Sequence, residues 1–308
     1  MNKHFLKKLF SILVGTNIVL FFIISLQAES LPITAKIEGN AKGPVLFFIH
    51  GSPGSAESFS DYFRDEELKK KAQLVAIDRP GYGEFSKKLS KLSVDEQAKL
   101  FTQYIKTNFP NREVILVGHS YGVSVAAQMA SEADANYKSV VLMSPIADPK
   151  EVKKDKVIKA LRAMKPTYPA VEKIAPKKYQ HLLTSPTELV GLEKDLETMS
   201  DSWSKIRSKI ILINGDKDKR VSYRNIQFIN EKVDQGNLPE VKILANQGHS
   251  IPKSGNLEVR DIFLREVGTD DKNISLSSSR KTAVKLIPKS SVKRCETLFG
   301  QIFKTARP

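Results

Sequence analysis

The run Val114-Ile115-Leu116-Val117-Gly118-His119-Ser120-Tyr121-Gly122-Val123 constrains this chain more than any other segment. Its apolar opening reads as a strand covered on both faces, and Val123, Ala126, Ala127 and Ala130 as the small-residue face of a helix packed back against the sheet. Between them, Gly118-x-Ser120-x-Gly122 must turn the chain sharply. The backbone is strained at such a turn, and a side chain on either flank of the serine would crowd the neighbouring strand or helix. A serine held this way lifts its hydroxyl off the edge of the sheet, so Ser120 is the candidate nucleophile.

A serine hydroxyl is a weak nucleophile at neutral pH and needs a histidine base, itself oriented by a carboxylate. The chain has five histidines. His4 lies in the N-terminal leader, His50 and His119 belong to turns, and His181 falls in a long insertion, which leaves His249, in Asn246-Gln247-Gly248-His249-Ser250. For the acid, Asp218 follows the penultimate expected strand in Gly215-Asp216-Lys217-Asp218; Asp216, two residues earlier, and Asp148, after the preceding strand, are the alternatives. The reaction also needs donors aimed at the developing oxyanion. Backbone N–H groups of Tyr121, directly after the nucleophile, and of Ser52, in the turn His50-Gly51-Ser52-Pro53-Gly54, are the candidates; Pro53 has no N–H to give.

From Pro44 onward, short β-rich apolar runs alternate with longer amphipathic segments, the pattern of a parallel sheet with crossover helices. The expected strands are Val45–Ile49, Leu74–Ile77, Val114–Val117, Ser139–Met143, Ile210–Ile213 and Val241–Leu244. Ser93-Val94-Asp95-Glu96 predicts a capping box that opens a helix toward Asn108, with Pro110 as its stop. Two more helices are expected near Tyr223–Val233 and Asn256–Glu266.

About sixty residues separate the strand ending near Met143 from the one beginning near Lys209, far above the ~2–6 of an ordinary connection. Residues 147–203 are therefore expected to form an inserted helical lid. Its first half is lysine-rich (Lys150, Lys153, Lys154, Lys156 and Lys159 lead it) and its second is acidic (Glu188, Glu193, Asp195, Glu197, Asp201). These halves read as two solvated helix faces, or as a surface for an anionic substrate or membrane.

With 49 Lys and Arg against 34 Asp and Glu, the net charge is +15, which favours anionic partners. No zinc-finger, RRM or KH signature accompanies it, so nucleic-acid binding is not expected. Cys295 is the single cysteine, which excludes an internal disulfide and a cysteine-based metal site. In Met1–Glu29, Lys3, Lys7 and Lys8 precede the apolar run Leu9–Leu26 and then Gln27-Ala28-Glu29. That order is the layout of a secretory signal cleaved after Ala28, or of an uncleaved membrane anchor; either one exports the remainder of the chain from the cytoplasm. The expected organisation is a leader (1–29), a core (30–146 and 204–267), the lid, and a flexible basic tail (268–308) holding an amphipathic segment, Val292–Phe303.

Taken together, His50-Gly51-Ser52-Pro53-Gly54, Asp78-Arg79-Pro80-Gly81-Tyr82-Gly83, Gly118-His119-Ser120-Tyr121-Gly122, Gly215 to Asp218 and Gly248-His249 resemble, in that order, the motifs of the α/β-hydrolase superfamily, in its capped esterase and lipase branch. The resemblance covers about residues 33 to 267. It implies the α/β-hydrolase fold, with an eight-stranded, mostly parallel central sheet, helices on both faces, a cap that shapes the pocket, and the chain order serine, acid, histidine. Serine at 120 departs from the aspartate of dehalogenase relatives, and Ser52 and His119 depart from the proline-iminopeptidase pattern. The implied activity is hydrolysis of a small-molecule acyl substrate, without metal or organic cofactor. The alternatives are a lysophospholipase or monoacylglycerol lipase-like enzyme, and a non-catalytic, membrane-tethered binding protein of the same fold.

Overall fold

The computed structural model describes residues 33–83, 90, 92–176 and 183–268. The leader, the tail beyond Gly268, His181 and the lysines at 177 and 178 lie outside the described residues, and so do the expectations attached to them. Among the described residues, no helix is long and apolar enough to cross a membrane.

Each apolar run expected to be a strand forms one. In chain order these are β1 Ala35–Gly39, β2 Val45–Ile49, β3 Gln73–Ile77, β4 Val114–His119, β5 Ser139–Met143, β6 Lys209–Gly215 and β7 Glu240–Leu244. They join in one sheet of order β1-β3-β2-β4-β5-β6-β7. Every pairing is parallel except that of β1 with β3. The described sheet thus has seven strands against the eight that the resemblance implied. β1 carries no sequence signal because it is a half-exposed edge strand, Ala-Lys-Ile-Glu-Gly, with a single large apolar residue to pattern on. β2 and β5 are buried throughout, as strands covered on both faces must be.

Ten α-helices are described: α1 Ser60–Phe63, α2 Glu66–Lys71, α3 Val94–Asn108, α4 Tyr121–Ala130, α5 Pro149–Lys154, α6 Lys156–Met164, α7 Tyr168–Ile174, α8 Thr184–Thr198, α9 Arg224–Lys232 and α10 Leu257–Val267. The expected capping box opens α3: Ser93 accepts from the Glu96 N–H while the Glu96 carboxylate accepts from the Ser93 N–H. Asn256 caps α10 in the same spirit, accepting from Glu258 and Val259. On one face of the sheet, Phe48 meets Phe59, Tyr62, Phe63 and Phe263, which locks α1 and α10 over β2. Aromatic pairs at these centroid distances add ~0.5–1.5 kcal/mol each beyond the apolar area they bury.

The described residues between β5 and β6 are largely helical, as expected, and the lysines at 150, 153, 154, 156 and 159 are exposed, but the acidic half is not solvated throughout. Arg162 on α6 and Lys153 on α5 pair with Glu193 on α8, so the basic and acidic halves neutralise each other where they meet. Asp195 accepts from the Val94 N–H at the start of α3. Glu188 is buried outright. The expectation fails at Glu188 because the acidic helix lies over the core, and a carboxylate can be buried there only with a charge to meet it.

Candidate active site

The register of the sheet decides which loops meet. Ile49 at the end of β2 lies opposite Gly118 on β4, so the turn at 50–54 and the turn at Ser120 leave the same sheet edge side by side. Gly215 at the end of β6 pairs with Leu244 at the end of β7, which brings the loops carrying Asp218 and His249 together. Two backbone bonds then lace them: the Asp216 N–H donates to Leu244 O and the Lys217 N–H to Gln247 O.

Ser120 sits at φ 54°, ψ −118°, a conformation that side chains rarely adopt. The turn closes because its flanks are glycine: a Cβ on Gly122 would lie 2.2 Å from Ile49 O, and one on Gly118 2.7 Å from Gly122 O. The serine is lifted toward His249, whose Nε2 accepts from Ser120 Oγ at 3.1 Å. On the other side of the ring, His249 Nδ1–H donates to Asp218 Oδ2 at 2.9 Å. The second oxygen of Asp218 accepts from the Arg220 and Val221 N–H groups at 2.9 and 3.0 Å. Burial would raise this carboxyl, but the hydrogen bond and charge of His249, with the two N–H groups, hold it below the usual carboxylate range. Asp218 therefore stays ionised and fixes both the ring and its tautomer.

The other acids offered by the sequence go elsewhere. Asp148 caps α5, accepting from the Lys150 N–H, and Asp216 is exposed in the same turn as Asp218. Of the two residues expected to supply oxyanion donors, Tyr121 opens α4, where the first N–H groups have no intrahelical acceptor. The Ser52 N–H has no acceptor among the described residues. The Ser52–Pro53 peptide is cis.

Sequence reasoning passed over two histidines as turn residues; His119 lines the cavity at Ser120, and His50 lies buried behind the turn at 50–54. His119 Nε2–H donates to the His249 carbonyl at 2.9 Å, and its ring lies 5.0 Å from that of His249. His50, fully buried, donates from Nδ1 to Gly51 O and accepts at Nε2 from the Arg79 N–H. Both are neutral at physiological pH. Burial first, then the charge of Arg79, pushes His50 well below the ordinary histidine value. Burial and then the charge of His249 hold His119 down at about 4. The unfolded chain protonates histidine near pH ~6.5, so below that pH it binds a proton the folded state refuses. Stability present at neutral pH is thus lost as the pH falls from about 6.5 toward about 4. His119→Gln keeps a donor for the His249 carbonyl and removes one titrating ring. Its Tm should fall less than that of the wild type between roughly pH 7 and pH 5, and an equal fall would remove His119 from the account.

The sequence also gave little sign of a buried guanidinium beneath the turn at 50–54. Arg79 is fully buried, and all five of its donors are used. Nε–H donates to His50 O, Nη1 to Gln97 Oε1 and Glu188 Oε1, and Nη2 to Gly51 O and Glu188 Oε2. Its plane lies between the rings of Tyr82 and Tyr121, at 4.7 and 4.4 Å. The Tyr82 hydroxyl, pushed up by burial, donates to Glu188 Oε2 at 2.6 Å. Ser52 Oγ lies 2.8 Å from that hydroxyl and 2.9 Å from Ser185 Oγ. One cluster therefore joins the carbonyls of the turn at 50–51 to helix α8 of the insertion. The only sequence trace was Glu188 itself, an acid in a stretch whose leucines, Leu192 and Leu196, are spaced to face a core.

Comparison with known proteins agrees with this architecture. A family model described as alpha/beta hydrolase fold matches residues 44–170. The dihydrolipoyllysine-residue acetyltransferase component of the acetoin cleaving system of Cupriavidus necator is 33% identical over 102 residues, which are 33% of this chain and 26% of that protein. The chain thus matches only about a quarter of that relative's length. Among solved structures, a bacterial membrane phospholipase A superposes with a TM-score of 0.55 at 20% identity, over 86% of this chain and 99% of the other. A lipase-esterase related protein from Clostridium acetobutylicum does so with a TM-score of 0.60 at 18% identity, over 76% and 99%. With its parallel sheet, the serine turn after β4 and these likenesses, the chain has the α/β-hydrolase fold.

Proposed function

We propose that this protein is a serine hydrolase, exported or anchored by its N-terminal segment, that cleaves a carboxylic ester, thioester or amide through an acyl-enzyme. The observation that carries the reading is an unbroken relay: Asp218 Oδ2 to His249 Nδ1 at 2.9 Å, and His249 Nε2 to Ser120 Oγ at 3.1 Å. Ser120 Oγ attacks the carbonyl carbon as His249 Nε2 takes its proton, and the imidazolium so formed is stabilised by Asp218. The N–H groups of Ser52 and Tyr121 donate to the tetrahedral oxyanion. Collapse breaks the bond to the leaving group, which departs with the proton from His249. Water, deprotonated by the same ring, then attacks the acyl-serine and releases the acid and the free serine. Asp218 keeps its negative charge throughout.

A fluorophosphonate probe, run beside nitrophenyl esters of graded acyl length, tests the proposal. Labelling is expected at Ser120, with turnover of the same esters blocked in the labelled protein. A folded protein that neither labels nor turns over any ester in the series refutes it. The chain-length profile separates a short-acyl esterase from a lipase-like enzyme.

A further inference from the structure

The cavity above Ser120 is small, about 160 Å³, against ~300–1,000 Å³ for typical ligand sites. Its lining is mostly turn backbone and polar side chains: Gly51, Ser52, Gly54, Ser58, His119 and Ser250 accompany Ser120 and His249. Two charged residues line it besides these, Arg220 and Lys253, and both are cations.

Their placement is fixed by the catalytic loops. Arg220 donates its backbone N–H to Asp218 Oδ1, and Lys253 donates its own to Ser250 O, one residue beyond His249. Neither has an ion-pair partner among the described residues, whereas Arg260 pairs with Asp65 and Glu67, and Arg265 with Glu240. Among the described residues no carboxylate lines the cavity, and the side chain of Asp218 behind His249 is fully covered, committed to His249 and two N–H groups. Lys253 already acts on the site electrostatically, since its charge is among the causes that lower His119.

We propose that Arg220 and Lys253 receive an anionic group of carboxylate size on the substrate, so that the site prefers small esters carrying a negative charge near the scissile carbonyl. The proposal rests on the hydrolase reading and deepens it by naming the substrate class. A guanidinium is suited to a carboxylate because its planar donors can meet both oxygens. An ammonium at the same cavity adds charge without fixing orientation. Long neutral acyl chains gain nothing from such a rim.

Calorimetric titration of the Ser120→Ala protein tests this without turnover. Two matched pairs place the charge on either side of the ester: monomethyl glutarate against dimethyl glutarate, and acetoxyacetate against its methyl ester. In at least one pair the anion should bind about tenfold more tightly, as expected for unit charges a few ångströms apart near a protein surface. The preferred pair tells whether the charge lies on the acyl or the alcohol side. The preference should shrink in roughly 0.5 M salt, where the Debye length is only about 4 Å, and in the Arg220→Gln/Lys253→Gln double variant. Equal binding in both pairs overturns the inference, as does a preference that survives the double variant. Hydrolysis of the same esters by the wild type is scored separately: its absence counts against the hydrolase reading, while the binding ratio alone decides the anion.

Discussion

Ser120→Ala should lower kcat for a short nitrophenyl ester on the order of 10⁶-fold, because loss of a triad nucleophile leaves only the rate supplied by oxyanion donors and binding. The fold should survive. Among the described residues the serine hydroxyl bonds only to His249, and the turn is held by contacts that alanine does not touch, such as the Ser120 N–H on Met143 O. The strain at φ 54° is the same for either side chain. Far-UV circular dichroism and Tm near wild-type values, together with activity reduced to the residual level, are the expected result. Undiminished turnover in the variant would mean that another group does the chemistry.

The second large effect is on stability. Glu188→Ala should cost about 3–5 kcal/mol, because it strands the Arg79 guanidinium in the core without its counter-charge. Burial alone would lower the affinity of Arg79 for its proton; the charge and hydrogen bonds of Glu188, together with the neighbouring tyrosines, outweigh it, and the variant removes the largest of these opposing contributions. For a domain of this size, that corresponds to a Tm drop of roughly 10 °C. The same change removes the acceptor of the Tyr82 hydroxyl and loosens the carbonyls of His50 and Gly51 that Arg79 holds. Activity in the folded fraction should fall as well, through misplacement of the Ser52 N–H. Arg79→Met combined with Glu188→Leu separates the two effects: an apolar pair should recover much of the stability, since buried ion pairs are often replaceable by packed hydrophobes. Activity should stay low, because the turn has lost its clamp. A Glu188→Ala protein that melts with the wild type would show that the pair carries no such weight.

Much of this was readable before any coordinates. Ser120 and His249 could be singled out because their surroundings are local: a strand, glycines at fixed offsets and a helix for one, and a loop after the last strand, reached by elimination, for the other. The capping box at Ser93 was equally legible, since its partners stand three residues apart. Asp218 was separable from Asp148 only by where the strands end. β1 was missed because an edge strand exposed on one side has little apolar pattern to show.

What local pattern determined was the element type and the candidate for each chemical role, because strand periodicity, turn glycines and helix caps act over a few residues. The tertiary structure alone decided the partnerships. Register placed the turn at 50–54 beside Ser120, Arg79 found Glu188 at a separation of 109 residues, and Arg220 came to face the same cavity as Lys253. Burial is what makes such meetings matter, and no stretch of sequence records it: a glutamate that reads as a solvated face costs little in water and must have its arginine once water is gone.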